Sequence, residues 1–341
     1  MRIAQVAPLY ESVPPKYYGG TERVVSYLTE ELVNQGHEVT LFASGDSDTR
    51  ARLVAPCQRS LRLDTQCIDQ LAHHIRMLDE VAREAASFDI IHFHIDYLHF
   101  PLTRHKRWSN VTTLHGRLDI PDLFPLYAGF REIPVVSISD AQREPLSGAN
   151  WAGTVYHGLP LDLYRFHPEP GNYLAFLGRI SPEKRVDRAI EISRAVGMNL
   201  KIAAKVDRVD RPYFKEVVEP LLQDRHVEYV GEIGEREKSR FLGEARALLF
   251  PIDWPEPFGL VMIEAMACGT PVIAYRCGSV SEVMEDGVTG FVVETQEEAI
   301  RAAERIPALS RTRCREVFEE RFSAPRMARD YLEIYQRLAA P

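Results

Sequence analysis

The chain has 341 residues, enough for about two domains with real cores. Hydrophobic residues make up 45% and charged residues 26%, an ordinary balance for a soluble globular protein that needs no disulfide or metal staple. The net charge of −8 divides evenly, with 15 basic against 19 acidic side chains in 1–160 and 26 against 30 in 161–341, so neither half carries the basic face of a duplex-binding protein.

The amino terminus, MRIAQVAPLY, has too short an apolar run for a signal peptide and reads as a first strand. Residues 21–35 place Val24, Val25, Leu28 and Leu32 on one helical stripe, with Thr21 positioned to cap the start and Gly36 to close the end. HEVTLFAS, FDIIHFH, NVTTLHG and IPVVSIS follow as strands, short apolar runs bounded by turn residues. The second half repeats the pattern with strands YLAFLG, LKIAAK, VEYVG, ALLFP, PVIAY and GFVV, and with helices such as 187–196 and 212–223 between them. Helices at about 296–306, 312–321 and 325–339 end the chain, Pro325 suiting a first helical turn.

This alternation predicts an α/β protein with two doubly wound parallel sheets. The change-over falls in 157–172, HGLPLDLYRFHPEPGN, whose three prolines and two glycines read as a linker. The expected domains are 1–160 and 161–324, and the final helix, 325–341, covers its own domain or crosses back to the first. No run reaches the roughly 18 apolar residues of a membrane span. The five cysteines form no C-x-x-C pair, so a reduced, cytoplasmic protein is expected.

Parallel sheets bind ligands at the carboxyl ends of their strands. Four loops there stand out. In PPKYYGGTE, Gly19 and Gly20 lack a Cβ and precede free helix amides, an anion-tolerant arrangement that lacks the G-x-G-x-x-G dinucleotide fingerprint. In FLGRISPEKRVDRAI, Arg179 lies just past a strand and Lys184 in the expected first helical turn, where a cation opposes the helix dipole at a cost of roughly 0.3–1 kcal/mol. Two cations set against local rules in one loop point to a ligand that offsets that cost, and a diphosphate would do so; a surface pairing of Lys184 with Glu183 or Asp187 is the alternative.

In EPFGLVMIE, Pro257 pushes Glu256 into an extended loop. Gly259, Leu260 and Val261 offer amides, and Glu264 falls in the second helical turn. Carboxylates accept from vicinal hydroxyls and amides take a phosphate, so a sugar–diphosphate–ribose ligand fits, as does a capping acid beside a half-buried helix acid. In TTLHG, His115 ends a strand and is either structural or functional; the same holds for His157. Asp46 and Asp48 in SGDSD read as a turn rather than a metal site. The cluster Arg104, His105, Lys106, Arg107 and Trp108 reads as a solvated loop, with a phosphate or membrane-surface contact as the alternative.

Together YYGGTERVV, TTLHG, FLGRISPEKRVDRAI and EPFGLVMIEAMACGTPVIAYRCGSVSEVMEDGVTGFVV resemble the retaining nucleotide-sugar glycosyltransferases of family four. The resemblance spans nearly the whole chain. It implies the GT-B fold: two Rossmann-like domains facing across a cleft, the acceptor in the first, the donor in the second, and the terminal helix crossing back. It implies that Arg179 and Lys184 bind the donor diphosphate, that Glu256 and the amides after Pro257 hold the donor sugar, and that Glu264 holds the ribose. Gly19 or Gly20 then approaches the phosphates, and His115 sits beside the donor sugar.

The sequence departs from the family at IAAKVDRVD, where many members have a glycine-rich turn, and at His157-Gly158, where many have Asn-Gly. The expected reaction transfers a sugar from a nucleotide-diphosphate sugar, with UDP favoured, to a hydroxyl of a small molecule or oligosaccharide. No metal or other cofactor, no nucleic acid and no transmembrane anchor is expected. Length, arginine bias and acidity suit an antibiotic-oligosaccharide pathway of the avilamycin type. A sugar-nucleotide 2-epimerase of the same fold and a non-catalytic sugar-nucleotide binding module are the rival readings.

Overall fold

The computed structural model describes residues 1–16 and 19–339. Tyr17, Tyr18, Ala340 and Pro341, including the last two residues of the expected final helix, lie outside the described residues. The chain divides into two compact units, Met1–Pro160 with Ser323–Pro341, and Leu161–Phe322.

The first unit is a parallel sheet of seven strands: β1 (Arg2–Val6), β2 (Glu38–Phe42), β3 (Arg52–Val54), β4 (Ile90–Phe93), β5 (Asn110–Thr113), β6 (Val135–Ser137) and β7 (Trp151–Thr154). Their order is β3-β2-β1-β4-β5-β6-β7. β3 and β7 escape the sequence pattern because both are edge strands. Their residues are exposed or half-buried, so neither shows the apolar run that marks the buried strands. The second unit has six parallel strands: β8 (Tyr173–Arg179), β9 (Asn199–Lys205), β10 (Val227–Gly231), β11 (Ala245–Phe250), β12 (Val272–Tyr275) and β13 (Gly290–Val293). Their order is β10-β9-β8-β11-β12-β13. The strand order reverses between β1 and β4 and between β8 and β11, and the carboxyl ends beside these switch points are where an open α/β sheet takes its ligand.

Among the helices used below are α1 (Gly20–Asn34), α2 (Val186–Ala195), α3 (Glu235–Gly243), α4 (Leu260–Ala267) and α5 (Ala324–Ala339). Thr21 is not the cap of α1: the helix starts one residue earlier, at Gly20, and Gly19 takes the cap position without any side-chain bond. Lys184 is likewise not in the first turn of α2. It ends a separate 3₁₀ turn, Pro182–Lys184, and Arg185 then breaks the chain with a left-handed φ of 51°. That conformation is held by the Arg185 guanidinium, which donates to Asp187 at 2.8 Å and Asp253 at 3.0 Å. The expected helix 212–223 is a patchwork whose middle, Phe214–Val218, is π-helical, with Pro220 just beyond. A proline cannot donate an intrahelical bond, and a wider turn is one way a helix accommodates it.

Helix α5 belongs to the first unit. It buries Met327, Ala328, Tyr331, Ile334 and Tyr335, a stripe with helical spacing. The chain leaves the unit next to where it returns. Ala324 N donates to Leu159 O at 2.8 Å, and a Cβ on Gly158 would stand 2.3 Å from Ser323 O. Only glycine permits that approach.

Candidate active site

In the second unit Arg179 is the last residue of β8 and not past it as expected, Lys184 and Glu256 lie on the loops that leave β8 and β11, either side of the switch point, and Glu264 lies on α4. Lys184 and Glu256, 72 positions apart, form a direct ion pair. Trp254 Nε1 donates to the same carboxylate oxygen at 2.8 Å. The Lys184 ammonium also lies 5.0 Å from the Trp254 ring centre and 5.5 Å from that of Phe250, so aromatic faces share its charge. The alternative, a surface pairing of Lys184 with Glu183 or Asp187, is not what the structure shows: Glu183 pairs with Arg179 and Asp187 with Arg185.

Arg179 stands among three acids. It bonds Glu183, and its nitrogens lie 3.6 Å from Asp207 and 3.5 Å from Asp210. Asp207 and Asp210 come from the VDRVD segment at the carboxyl end of β9. Asp210 is buried, and burial raises its carboxyl above the usual range against the opposing pull of Arg179. Lys205 bonds Asp207 at 3.0 Å.

The backbone of Glu256 is fixed by a loop the sequence reading passed over. Gly278 has a left-handed φ of 54°, and a Cβ there would meet Glu256 O at 2.4 Å and Glu256 N at 2.5 Å. Ser279 N donates to Glu256 O at 3.0 Å, and Ser279 Oγ to Phe258 O at 2.9 Å. Gly259, with a φ of 80°, turns the chain into α4. Leu260 and Val261 open that helix, and the first amide bonded within the turn is Met262 N, to Gly259 O at 3.0 Å. Glu264 is buried in the second turn of α4, and its partner is Lys238 on α3, 2.9 Å away. Lys238 was missed because a lysine on a helix beside Glu235 and Glu237 looks like a solvated charge pattern.

In the first unit, Gly19 is buried and Gly20 exposed. The space beside Gly19 is taken by Pro15, whose Cβ lies 2.8 Å from where a Gly19 Cβ would stand. Its missing side chain thus serves packing within the loop, and the exposed backbone is that of Gly20. Asp46 is occupied as a turn acceptor, bonding Ser44 Oγ and Ser60 N, each at 2.8 Å. Among the described residues no cluster of three metal-binding side chains occurs.

His115 is not a lone histidine. Its Nε2 lies 2.9 Å from His94 Nδ1, and its ring stacks on His157 at 5.4 Å. His92 and His94 face the same side of β4, as Gln5 does from β1. Loss of hydration pushes the His115 imidazole down to about 3, and the rings of His92, His94 and His157 well below the usual range, so all four are neutral near neutral pH. The loop carrying His115 is pinned by Gln142, whose Nε2 donates to Leu114 O at 2.9 Å and Gly116 O at 2.8 Å. The clue lay in IIHFH and RIAQV: polar residues at alternate positions of a buried apolar strand need partners on one face. Two residues beyond His94, Asp96 holds a left-handed φ of 50°.

Two doubly wound parallel units of this kind are the architecture of GT-B glycosyltransferases. The chain belongs to glycosyltransferase family 4: the sequence profile of Glycosyltransferase Family 4 matches residues 18–209, and that of Glycosyl transferases group 1 matches residues 165–321. Alpha-maltose-1-phosphate synthase of Mycolicibacterium smegmatis is 31% identical over 402 residues, covering 100% of each chain. An uncharacterized glycosyltransferase of Methanocaldococcus jannaschii is 29% identical, over only 42% of this chain and 40% of that protein. AviGT4, a glycosyltransferase involved in avilamycin A biosynthesis, superposes with a TM-score of 0.77 at 24% identity, over 99% of this chain and 98% of that one. Anabaena Alr3699/HepE in complex with UDP and glucose gives 0.75 at 19%, over 99% and 100%. No helix among the described residues is long and apolar enough to cross a membrane.

Proposed function

We propose that this glycosyltransferase is a retaining enzyme that moves a sugar from a UDP-sugar to a hydroxyl of a small-molecule or oligosaccharide acceptor, without a metal ion. The observation that carries the reading is the Lys184–Glu256 pair beside the β8/β11 switch point. It sets a cation for a diphosphate next to a carboxylate for sugar hydroxyls. The donor belongs on the second unit and the acceptor on the first. The lean towards UDP and an antibiotic-oligosaccharide pathway accords with two proteins of the same fold, one complexed with UDP and glucose and another involved in avilamycin A biosynthesis.

As the glycosidic bond breaks, negative charge gathers on the leaving diphosphate and positive charge at the anomeric carbon. Arg179, Lys184 and the α4 amides stabilise the former; removing one such donor costs about 10²–10³ in kcat. The acids around Arg179 hold its guanidinium in place until a diphosphate takes over some of those bonds. Glu256 accepts from the donor sugar, and Glu264, oriented by Lys238, accepts from the ribose diol. No carboxylate is assigned as a covalent nucleophile. The acceptor hydroxyl therefore attacks from the face the diphosphate leaves, and the departing phosphate takes its proton.

The test incubates the chain with UDP-, GDP- and ADP-sugars across an acceptor panel, with EDTA in parallel. Transfer from UDP-sugars that survives EDTA and preserves anomeric configuration is expected. Inverted products, or activity abolished by EDTA and restored by a divalent ion, would overturn the corresponding part. Isomerised UDP-sugar without acceptor would favour the epimerase, and UDP binding with no turnover the binding module.

A further inference from the structure

A buried chain of hydrogen bonds runs from α5 to His115. Gln5 Nε2 lies 3.0 Å from Tyr335 Oη, and Gln5 Oε1 lies 2.8 Å from His94 Nε2. His94 Nδ1 meets His115 Nε2 at 2.9 Å. On the other side, Tyr335 Oη lies 2.6 Å from His92 Nδ1, and His92 Nε2 lies 2.7 Å from Thr113 Oγ1, which touches Tyr331 Oη at 2.8 Å. Every group here except Gln5 can act as donor or acceptor through the same atom, by rotating a hydroxyl or exchanging an imidazole tautomer. The amide alone has donor and acceptor on different atoms, so its orientation sets the direction of the whole chain.

With Oε1 toward His94, the directions follow one by one. His94 Nε2 must carry a proton to donate to Gln5. A neutral His94 then has a bare Nδ1, which accepts from His115 Nε2–H. A neutral His115 with its proton on Nε2 has a bare Nδ1. That atom is buried and has no hydrogen-bond partner among the described residues. It sits just past the carboxyl end of β5, in a loop held by Gln142.

We propose that Gln5 and His94 are positioning residues that fix His115 in the Nε2-protonated tautomer, leaving Nδ1 as a hydrogen-bond acceptor for a substrate hydroxyl. This rests on the functional reading only for the hydroxyl; the tautomer follows from the hydrogen-bond chain. His115 then orients a sugar hydroxyl and does not donate to the leaving diphosphate. Tyr335 ties the same setting to α5, so the last helix of the chain takes part in defining a site residue that lies far from it in sequence.

The test is nitrogen-15 NMR of the histidine side chains in the full chain at neutral pH, which reads each tautomer whether or not a substrate is known. A bare Nδ1 on His115 and a bare Nδ1 on His94 are expected; a proton on His115 Nδ1 would overturn the proposal. In Gln5→Glu the carboxylate can only accept, so His94 and His115 keep their tautomers while His92 reverses to an Nδ1 proton donated to Tyr335. In Gln5→Leu the His94 acceptor is gone and His115 becomes a mixture. An unchanged, single His115 tautomer in Gln5→Leu would also sink the idea. Once a donor and acceptor are in hand, Gln5→Leu should lower kcat about tenfold with little change in donor KM, and Gln5→Glu should restore most of it. Equal losses in both variants would point to a structural role only.

Discussion

Lys184 and Glu256 meet as an ion pair whose side chains keep only 17% and 12% of their exposure, with the Trp254 indole N–H on the same carboxylate. Removing one partner leaves the other charge poorly hydrated. Lys184→Ala should therefore lose about 2 kcal/mol of stability in denaturant melts, besides lowering kcat by orders of magnitude. The double variant Lys184→Met with Glu256→Gln should recover most of the stability and none of the activity. Wild-type turnover in Lys184→Ala would remove this pair from the chemistry.

Glu264 is buried and pairs with the half-buried Lys238, and the proposed role of Glu264 is to hold a ribose diol. Lys238→Met should leave Glu264 misoriented and raise the donor KM about tenfold while kcat changes little, the signature of lost uniform binding. Steady-state kinetics with varied donor decide it; an effect confined to kcat would move Lys238 and Glu264 away from the nucleoside.

The Gly278 position permits no side chain. A methyl group there meets both backbone polar atoms of Glu256, on a residue whose φ is already left-handed. Gly278→Ala should cost about 2–4 kcal/mol, seen as a lower melting midpoint, and should reduce activity by displacing Glu256. A variant as stable and active as the wild type would show that the close approach is relieved by loop movement.

Stability should fall as the pH drops below about 6.5. The folded chain keeps its buried histidines neutral, His99 and His115 down to about 3. The unfolded chain protonates them near 6.5, so below that pH the unfolded state binds more protons and gains free energy. Their contribution is intact above about pH 6.5 and shrinks steadily toward pH 3. At pH 5 each of these two accounts for a loss of about 2 kcal/mol relative to neutral pH. His92, His94 and His157 shift in the same direction. Chemical denaturation between pH 5 and 7.5 measures the slope; a flat profile would contradict the buried neutral cluster.

The buried strands were readable because each is a short apolar run with both faces covered, as in YLAFLG and PVIAY. Edge strands β3 and β7 lacked that signature, since half of each faces solvent. The placement of Lys184 was misread because the break before α2 depends on Arg185 reaching Asp253, 68 residues further on. Arg179, Lys184, Glu256 and Glu264 were singled out by local rules of loop and helix start. Their partners Asp210, Lys238 and Gly278 were not, since each acts only through a neighbour brought in by the fold. The histidine network lay between: IIHFH announced a buried polar face, and the partners that satisfy it came from three other elements.

The Leu159–Ala324 hydrogen bond has a consequence for how the gene can be cut. The chain departs from the first unit and rejoins it one backbone contact away, so residues 161–322 form a cassette with adjoining ends. Such a segment can be deleted and the gap closed by a short linker, or exchanged for another with ends equally near, without stretching the host backbone. The second unit is, in that sense, an interchangeable cartridge seated in the loop before the final helix.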